Sequence, residues 1–286
     1  MKKLLVIFHL YYKDQLPWFL EKLSHIKGCH WDLLVTGPSF DSQSVKALKA
    51  FKEDVRFLEC ENVGYDIWPF LKALQRTCLE SYDYILKLHT KSQTSHHKVR
   101  INGVRLKGYM WRNILVDALL QDNNRFQEVL RIFEEHPHAG MVCSEKLFAV
   151  LHFPEDHELL DQELERLHLR TPERHFCVGT MMMMRSCLLQ ALPLKEYSAS
   201  MFPSQSETNS GATPAHVYER VLSLLAPAQG YQVYTTGADA AYRRKQWRRH
   251  HLKPILTWLF NIDRSVDDGI KYLTLLGFRI KLEDPA

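Results

Sequence analysis

Strand-like and helix-like segments alternate over the first ninety residues, and this alternation constrains the fold more than any other feature. Runs rich in branched and aromatic residues are each followed by a stretch whose apolar residues recur with helical spacing. The strand-like runs lie at 3–9, 31–36, 55–59 and 82–89, and the helix-like segments lie at 18–23, 45–51 and 67–74. Repeated β-α units predict an α/β fold with a mostly parallel sheet and helices on both faces.

Residues 61–91 contain one complete unit of this pattern, in which a turn and a helix lead into a strand that ends in a polar stretch. Alternate side chains of a strand share a face, so Lys87, His89 and Lys91 are expected to point the same way. Ligands of open α/β sheets bind beyond the carboxyl ends of the strands. Two cations and an imidazole at that edge predict an anionic ligand, with phosphate as the first choice. An ordinary solvated strand end is the alternative.

Two acidic residues have both a structural and a functional interpretation. Asp66 follows Gly64 at the predicted start of a helix, where it is either a first-turn acid that favours the helix dipole or an acceptor for ligand hydroxyls. Glu219 lies three residues after His216 and directly before Arg220 on another predicted helix. It is either ion-paired on an exposed face or placed to act as a general base. Both interpretations stay open at this point.

Common signatures of nucleotide-binding and hydrolytic enzymes are absent. The chain has no GxGxxG, Walker, GxSxG or HExxH motif. His89, His96 and His97 have the chemistry of metal ligands, but no second ligand cluster accompanies them, so a solvated polar loop is the preferred interpretation. Gly179 and Thr180 precede a run of four methionines, and close approach of a ligand to the backbone would explain the glycine.

The basic character of the chain is local. Lys and Arg number 37 and Asp and Glu number 33, which gives a formal charge of +4. Six cations without an acid among them lie in one segment, at Arg243, Arg244, Lys245, Arg248, Arg249 and Lys253. The rest of the chain therefore has a charge of 4 − 6 = −2. A nucleic-acid-binding protein is an alternative class, but the confined patch and the lack of a recognition motif argue against it.

Cysteine usage and hydropathy indicate the compartment. Six scattered cysteines without a CxxC pair are typical of reduced thiols in a cytoplasmic protein. The first twelve residues resemble a signal peptide, but their apolar part is short and lacks a cleavage site, so a core strand is predicted. No run approaches the ~18 apolar residues of a membrane span. The expected location is the cytoplasm, with a peripheral position at the inner face of the cytoplasmic membrane as the alternative.

Five stretches of the chain together resemble the rhamnan synthesis protein F family of bacterial glycosyltransferases. They occur in the family's order within residues 3–235 and are Asn62–Leu71, Tyr82–Lys91, Gly108 with Trp111 and Arg112, Gly179–Met181, and Ala215–Arg220. The resemblance implies a sugar transferase that assembles a cell-surface polysaccharide such as O-antigen, capsule or rhamnan. It also implies dTDP-L-rhamnose as the donor and a saccharide or lipid-linked oligosaccharide as the acceptor.

The β-α units also resemble the GT-A fold of nucleotide-sugar enzymes. In that fold a DxD motif after the fourth strand binds a divalent metal on the donor diphosphate. This sequence has no DxD motif, and residues 88–91 read Leu-His-Thr-Lys at the corresponding place. Lysine and protonated histidine can bind a diphosphate directly. We therefore expect a metal-independent enzyme, with Mg²⁺ or Mn²⁺ as the alternative.

The resemblance implies roles for particular residues in an inverting transfer. Glu219 is expected to be the catalytic base, with Asp66 as a less favoured base. His216, beside Glu219, is the third expected catalytic residue. The residues expected to bind the donor and its phosphates are Asn62, Gly64, Asp66, Lys87, His89, Lys91, Trp111, Arg112, Gly179, Thr180 and Arg220. Because the DxD motif is missing, an inactive transferase-like scaffold of a polysaccharide assembly complex is the alternative.

A transferase domain is expected at residues 1–240, followed by a basic, aromatic and helical C-terminal extension at 241–286. Residues 242–260 join the cationic cluster to tryptophan, phenylalanine and leucine residues. This composition suits contact with an anionic membrane surface, where a lipid-linked acceptor would lie. A basic helix that caps the fold or packs on a neighbouring subunit is the alternative.

Overall fold

A seven-stranded sheet organises the chain up to Gly237 in the computed structural model. The structure describes residues 2–93, 100–150, 154–202, 213–264 and 271–282. Its contacts divide the chain into two units, Met1–Gly237 and Ala238–Ala286. The division lies close to the boundary expected between residues 240 and 241.

The first unit alternates strands and helices along the chain. Its strands are β1 (Lys3–His9), β2 (His30–Gly37), β3 (Arg56–Glu59), β4 (Tyr84–His89), β5 (Arg100–Ile101), β6 (Val104–Arg105), β7 (Ala139–Ser144), β8 (Phe148–Ala149), β9 (Phe176–Cys177), β10 (Met182–Arg185) and β11 (Gln232–Thr236). Its helices are α1 (Leu16–Leu23), α2 (Ser42–Phe51), α3 (Ile67–Gln75), α4 (Met110–Leu120), α5 (Asn123–Glu135), α6 (Pro154–Arg166) and α7 (Pro214–Ala228).

The main sheet has the strand order β11-β7-β10-β4-β1-β2-β3. β10 runs antiparallel to both of its neighbours, β4 and β7, and all other neighbouring pairs are parallel. The predicted mostly parallel α/β sheet is therefore confirmed. Left-handed backbone at Gly179 and Thr180 separates β9 from β10.

Both faces of the sheet are covered. Every β1 residue from Leu4 to His9 is buried, although successive side chains point to opposite faces. Strand β1 is accordingly an unbroken apolar run, as expected for a central parallel strand, and not an alternating one. Helix α1 packs with α2 and α4, whereas α7 packs with α3 and α6. These two groups of helices supply the expected layers.

The register of the parallel strands assembles a polar edge. His9 at the end of β1 pairs with Thr36 on β2 and with His89 at the end of β4. All three side chains are buried. Because parallel strands end at the same edge, three residues distant in sequence lie side by side where α/β sheets bind ligands.

The second unit contains a helix and a small antiparallel sheet. Helix α8 (Ala240–Leu259) is followed by β12 (Phe260–Arg264), β13 (Lys271–Leu275) and β14 (Phe278–Leu282), which pair in that order. The expectation of a wholly helical extension was therefore wrong beyond residue 259. Alternation of apolar and polar residues over 278–282 was the available strand signal. In the described parts of the chain, no helix is long and apolar enough to cross a membrane.

Candidate functional site

A cleft lies beyond the carboxyl ends of β1 and β4. Among the described residues it is lined by His9, Tyr11, Tyr12, Asn62, Tyr65, Asp66, His89, Thr90, Lys91 and Ser92. Three segments distant in sequence meet there, namely the end of β1, the turn before α3 and the end of β4. The location matches the edge at which open α/β sheets bind ligands.

Lys87 is buried beneath this cleft and is neutralised by the protein. It lies on β4 with 1% of its surface exposed, and its ammonium group pairs with the carboxylate of Asp66. It also donates to Thr180 Oγ1 at 2.9 Å, and that hydroxyl donates to Asp66 Oδ2 at 2.6 Å. The three side chains form a closed hydrogen-bonded triangle. Lys87 therefore holds Asp66 and Thr180 together, a different task from the expected contact with phosphate.

The environment of Asp66 makes it a poor proton acceptor. Burial alone would raise the pKa of its carboxyl group, but His89, which is charged only in acid, the ammonium group of Lys87 and the hydrogen bonds from Lys87 and Thr180 hold that pKa well below its usual range. A base of such low pKa takes up a proton only with difficulty near neutral pH. The geometry therefore disfavours Asp66 as the alternative catalytic base.

The two ring nitrogens of His89 each face a backbone carbonyl group. Its Nε2 atom lies 2.8 Å from Gly179 O, and its Nδ1 atom lies 3.0 Å from Thr90 O. Burial lowers the pKa of His89 to about 4, despite the opposing charge of Asp66. At neutral pH the ring is therefore uncharged and donates one hydrogen bond, to one of these carbonyls. The expected role of His89 as a cationic phosphate ligand does not fit this environment.

Lys91 is the member of the expected cationic trio whose charge lies at the cleft. Its Nζ atom sits 3.9 Å from the centre of the Trp111 ring, a cation–π contact. Burial lowers the pKa of Lys91, and the negative charges of Asp66 and Glu219 oppose that shift. Trp111 itself donates from Nε1 to Val178 O at 3.1 Å. The tryptophan thus forms a fixed platform beneath the lysine.

Glu219 lies on α7 and reaches the same cluster through Gly179. Its Oε1 atom accepts a hydrogen bond from the Gly179 backbone N–H at 2.7 Å. Burial raises the pKa of Glu219, and the charge of Lys91 and the bond from Gly179 oppose the shift. A carboxylate of raised pKa is a better proton acceptor near neutral pH than one of ordinary pKa. The local chemistry therefore suits the expected role of Glu219 as a general base.

His216 lies one turn earlier on α7, near the wall of the cleft. Its Nδ1 atom is 2.8 Å from the hydroxyl of Thr213, the residue that caps the helix. Its ring centre is 5.9 Å from that of Tyr65, which lines the cleft. The start of α7 thus connects the cleft wall to the helix that carries Glu219.

Two glycines with left-handed backbone allow the site to close. Gly64 has φ +63° and Gly179 has φ +99°. A Cβ atom on Gly64 would lie 2.8 Å from the Phe202 ring, and one on Gly179 would lie 2.7 Å from a Leu115 methyl group and 2.8 Å from Trp111 Nε1. Only glycine satisfies both the conformation and the close packing. These turns place the nearby Asp66 and Thr180 side chains within hydrogen-bonding distance of each other.

The two arginines expected to bind the donor are engaged inside the protein. The Arg112 guanidinium lies 3.8 Å from the Trp18 ring centre and donates to Gln15 Oε1 at 3.2 Å. Arg220 donates to His216 O at 2.7 Å and lies 4.8 Å from the Phe176 ring centre. Both arginines are buried. The structure therefore gives them positioning roles, whereas Asn62 lines the cleft as expected.

Several residues of the site were not identified from the sequence. His9 faces Thr36 Oγ1 at 3.0 Å through Nδ1, and burial lowers the pKa of His9 to about 4. Thr90 Oγ1 accepts hydrogen bonds from the backbone N–H groups of Tyr11 and Tyr12 at 3.0 and 2.9 Å. Polar residues that end neighbouring strands were the available signal, but using it requires the strand order.

The charged side chains at and beneath the cleft include the carboxylate of Asp66 and the ammonium groups of Lys87 and Lys91. Within the part of the chain that is described, no group of three or more His, Cys, Asp or Glu side chains is placed to hold a metal. Asp66 is already paired with Lys87, and a second ammonium group, that of Lys91, lies at the cleft. His96 and His97, which were considered as metal ligands, lie outside the described residues.

Comparison with known proteins identifies relatives over most of the chain. The profile of one protein family, described as rhamnan synthesis protein F, matches residues 1–231. Two proteins of Xanthomonas campestris pv. campestris strains, both described as uncharacterized protein WxcX, are 29% identical over 247 residues. The match covers 80% of this chain and 32% of each relative. The chain thus spans about a third of the length of these relatives.

Solved structures give more distant likenesses. S. aureus TarS (residues 1–349) is 10% identical with a TM-score of 0.43, over 90% of this chain and 66% of TarS. Its complex with UDP-GlcNAc is 13% identical with a TM-score of 0.44, over 84% and 57% of the two chains. A cytidylyltransferase from Leptospira borgpetersenii is 10% identical with a TM-score of 0.40, over 84% and 77%. Likenesses at TM-scores below 0.5 do not bear on the function of this chain.

Proposed function

The chain belongs to the rhamnan synthesis protein F family of glycosyltransferases, and from this premise we propose that it transfers a sugar from a nucleotide-sugar donor to a growing cell-surface polysaccharide. One observation carries the proposal. At the carboxyl edge of the sheet, Lys91 lies at the cleft while the carboxylate of Glu219, whose pKa is raised, is bonded to Gly179 in the same cluster. A cation for the leaving group and a base for the attacking group are the two parts that such a transfer needs.

The proposed reaction is an inverting displacement. Glu219 removes the proton of an acceptor hydroxyl, and the oxygen attacks the anomeric carbon of the donor sugar. The new glycosidic bond forms as the bond between that carbon and the diphosphate oxygen breaks. The nucleoside diphosphate leaves with the bonding electron pair, and Lys91 stabilises its negative charge. In this proposal the donor lies against Asp66, which Lys87 and Thr180 hold in place.

We propose that the diphosphate is bound without a metal ion. In place of two carboxylates the chain carries His89 and Lys91, and the neighbouring Asp66 is neutralised by Lys87. An ammonium group binds phosphate oxygens directly as a point charge. The ammonium group of Lys91 would also repel a divalent cation from the same position. These properties support direct recognition of the diphosphate.

Family membership supports dTDP-L-rhamnose as the proposed donor and a saccharide or lipid-linked oligosaccharide as the acceptor. O-antigen, capsule and rhamnan are the polymers considered. Discrimination between nucleotide sugars depends on a few side chains at the cleft, where Tyr11, Tyr12 and Tyr65 offer aromatic surfaces for a base or sugar ring.

A screen of nucleotide sugars tests the proposal. Thermal unfolding and release of nucleotide are measured with dTDP-rhamnose, UDP-sugars and GDP-sugars, each with and without excess EDTA. Stabilisation and turnover with one donor, unchanged by EDTA, are expected. Activity with a different nucleotide sugar corrects the donor but keeps the enzyme class. No response to any donor would favour the inactive scaffold instead.

We further propose that the second unit contacts an anionic membrane surface, which would bring the enzyme to a lipid-linked acceptor. Helix α8 presents exposed cations at Arg244, Lys245 and Arg248. Large apolar side chains of this unit are also exposed, at Trp247, Trp258, Phe260 and Phe278, the last to 76%. Cations and aromatic side chains together favour the interface of an anionic bilayer.

A further inference from the structure

Gln15 is a buried residue whose side chain pairs with the backbone of Lys91. It ends a short helical turn at Lys13–Gln15, directly before α1, and only 3% of its surface is exposed. Its Nε2 atom donates to Lys91 O at 2.8 Å, and its Oε1 atom accepts from Lys91 N at 3.4 Å. One side chain therefore satisfies both backbone groups of a residue 76 positions later in the sequence.

The amide of Gln15 is oriented by its own partners. Its Oε1 atom also accepts a hydrogen bond from Arg112 Nη1 at 3.2 Å. Both partners of Oε1 are N–H donors and the partner of Nε2 is a carbonyl, so the reversed amide would oppose like groups at each contact. Gln15 can therefore hold the Lys91 backbone in one orientation.

Arg112 is itself fixed in place. The Cζ atom of its guanidinium lies 3.8 Å from the centre of the Trp18 ring and 4.2 Å from that of the Tyr109 ring. It also donates from Nε and Nη2 to Asn113 Oδ1, at 3.0 and 2.8 Å. A planar cation enclosed in this way has little rotational freedom. The hydrogen bond that it gives to Gln15 is therefore made from a rigid anchor.

Helix α4 thus holds Lys91 at two points with two successive residues. Trp111 supports the ammonium group, and Arg112 acts through Gln15 on the backbone. A flexible lysine loses considerable side-chain entropy when it is fixed by a ligand. Prior fixing of its backbone and its ammonium group lowers that loss and so favours binding.

We propose that Gln15 is a positioning residue that orients Lys91 toward the diphosphate of the donor. This inference rests on the proposed function, in which Lys91 binds that diphosphate. Gln15 is not among the described residues that line the cleft, and in this proposal it acts on a ligand through Lys91. Its contribution is therefore specific for the phosphate part of a ligand and absent for the nucleoside part.

The test compares binding of nucleoside diphosphates and of their nucleosides by isothermal titration. ADP, GDP, UDP and dTDP are used, and the ratio of diphosphate to nucleoside affinity is measured for those that the wild type binds. Gln15→Met preserves side-chain volume but removes the three hydrogen bonds, and we expect this ratio to fall about tenfold. Gln15→Glu keeps the contact with Arg112 but opposes Lys91 O with a carboxylate, and should lower the ratio as well.

A double-mutant cycle separates positioning from general destabilisation. Lys91→Met should lower the ratio strongly, and adding Gln15→Met should then lower it no further. Gln75→Met is a matched control, because Gln75 Nε2 donates to Leu194 O and Tyr197 O at 2.6 and 2.8 Å away from the described cleft lining. We expect this control to lower the melting temperature and to keep the ratio.

Three results would overturn the inference. An unchanged ratio in both Gln15 variants, or additive losses in the double variant, would show that Gln15 does not act through Lys91. An unchanged ratio in Lys91→Met would remove the diphosphate contact on which the inference depends. If the wild type binds none of the four diphosphates, the proposed function itself fails. That result differs from one in which the diphosphates bind and the Gln15 variants leave the affinity ratio unchanged.

Discussion

At the scale of single residues, Glu219 and Asp66 show how two nearby carboxylates acquire different chemistry. Asp66 is paired with Lys87, and its pKa is held low. Glu219 accepts one backbone hydrogen bond, and burial raises its pKa. Separation of pKa values between neighbouring acids is the arrangement that assigns one to charge stabilisation and the other to proton transfer.

Replacing Glu219 by glutamine tests this assignment. The amide still accepts the hydrogen bond from Gly179 but cannot take up a proton, so we expect turnover to fall about 10²- to 10⁴-fold with little change in donor affinity. The measurements are steady-state turnover and titration with the donor. Glu196→Gln, at an exposed position, is the control and should retain activity. Near-normal turnover in Glu219→Gln would move the base elsewhere.

The buried histidines predict how stability depends on pH. Burial lowers the pKa values of His9 and His89 from 6.5 to about 4. Between these values the unfolded chain binds protons that the native protein does not, so the free energy of unfolding falls as the pH falls from 6.5 toward 4. His9→Gln should reduce this fall, as measured by urea unfolding at several pH values. His138→Gln, at an exposed position, should leave it unchanged; equal behaviour of the two variants would contradict the account.

At the scale of elements, the break between β9 and β10 connects the strands to the site. Gly179 donates its N–H to Glu219 and faces His89 with its carbonyl oxygen. Its left-handed conformation also brings it against Trp111. The backbone of Gly179 thereby fixes Glu219, the proposed base. It also lies close to Trp111, the ring that supports Lys91.

Two alanine substitutions separate backbone strain from collision, one at Gly179 in this break and one at Gly230 between α7 and β11. Gly230 also has a positive φ, +79°, but a Cβ atom there would meet nothing within 4 Å. Gly230→Ala should therefore cost only about 1 kcal/mol of unfolding free energy, from backbone strain. Gly179→Ala adds a collision and should cost about 2 to 5 kcal/mol and weaken donor binding. Similar losses in urea unfolding for the two variants would contradict the close packing at Gly179.

The sequence predicts the elements of this edge but not how their side chains pair. Alternation correctly indicates that Lys87 and His89 share a face of β4, and the strand ends there as expected. Their partners, Asp66 and Gly179, lie 21 and 90 residues away. Periodicity contains no information on such contacts. Lys87 and His89 were therefore expected to bind phosphate, whereas both are buried and contact other groups of the protein. The role of Gln15 was missed for the same reason.

At the scale of the whole molecule, a charge-specific test addresses membrane contact. Changing Arg244, Lys245 and Arg248 to glutamine should weaken co-sedimentation with phosphatidylserine vesicles about a hundredfold, since each cation contributes about 1 kcal/mol. The matched control changes three exposed lysines of the first unit, Lys27, Lys46 and Lys49, by the same total charge. Equal loss in both variants would assign the effect to net charge and remove the proposed surface.

In the proposed enzyme a lysine, in place of a metal ion, binds the diphosphate of a nucleotide sugar. Release of nucleotide from the preferred donor is measured for the wild type and for Lys91→Met, in excess EDTA and in Mg²⁺. We expect equal wild-type rates in both conditions and a strongly reduced rate for the variant in both. Wild-type activity that EDTA abolishes and Mg²⁺ restores would contradict it, as would full activity of Lys91→Met.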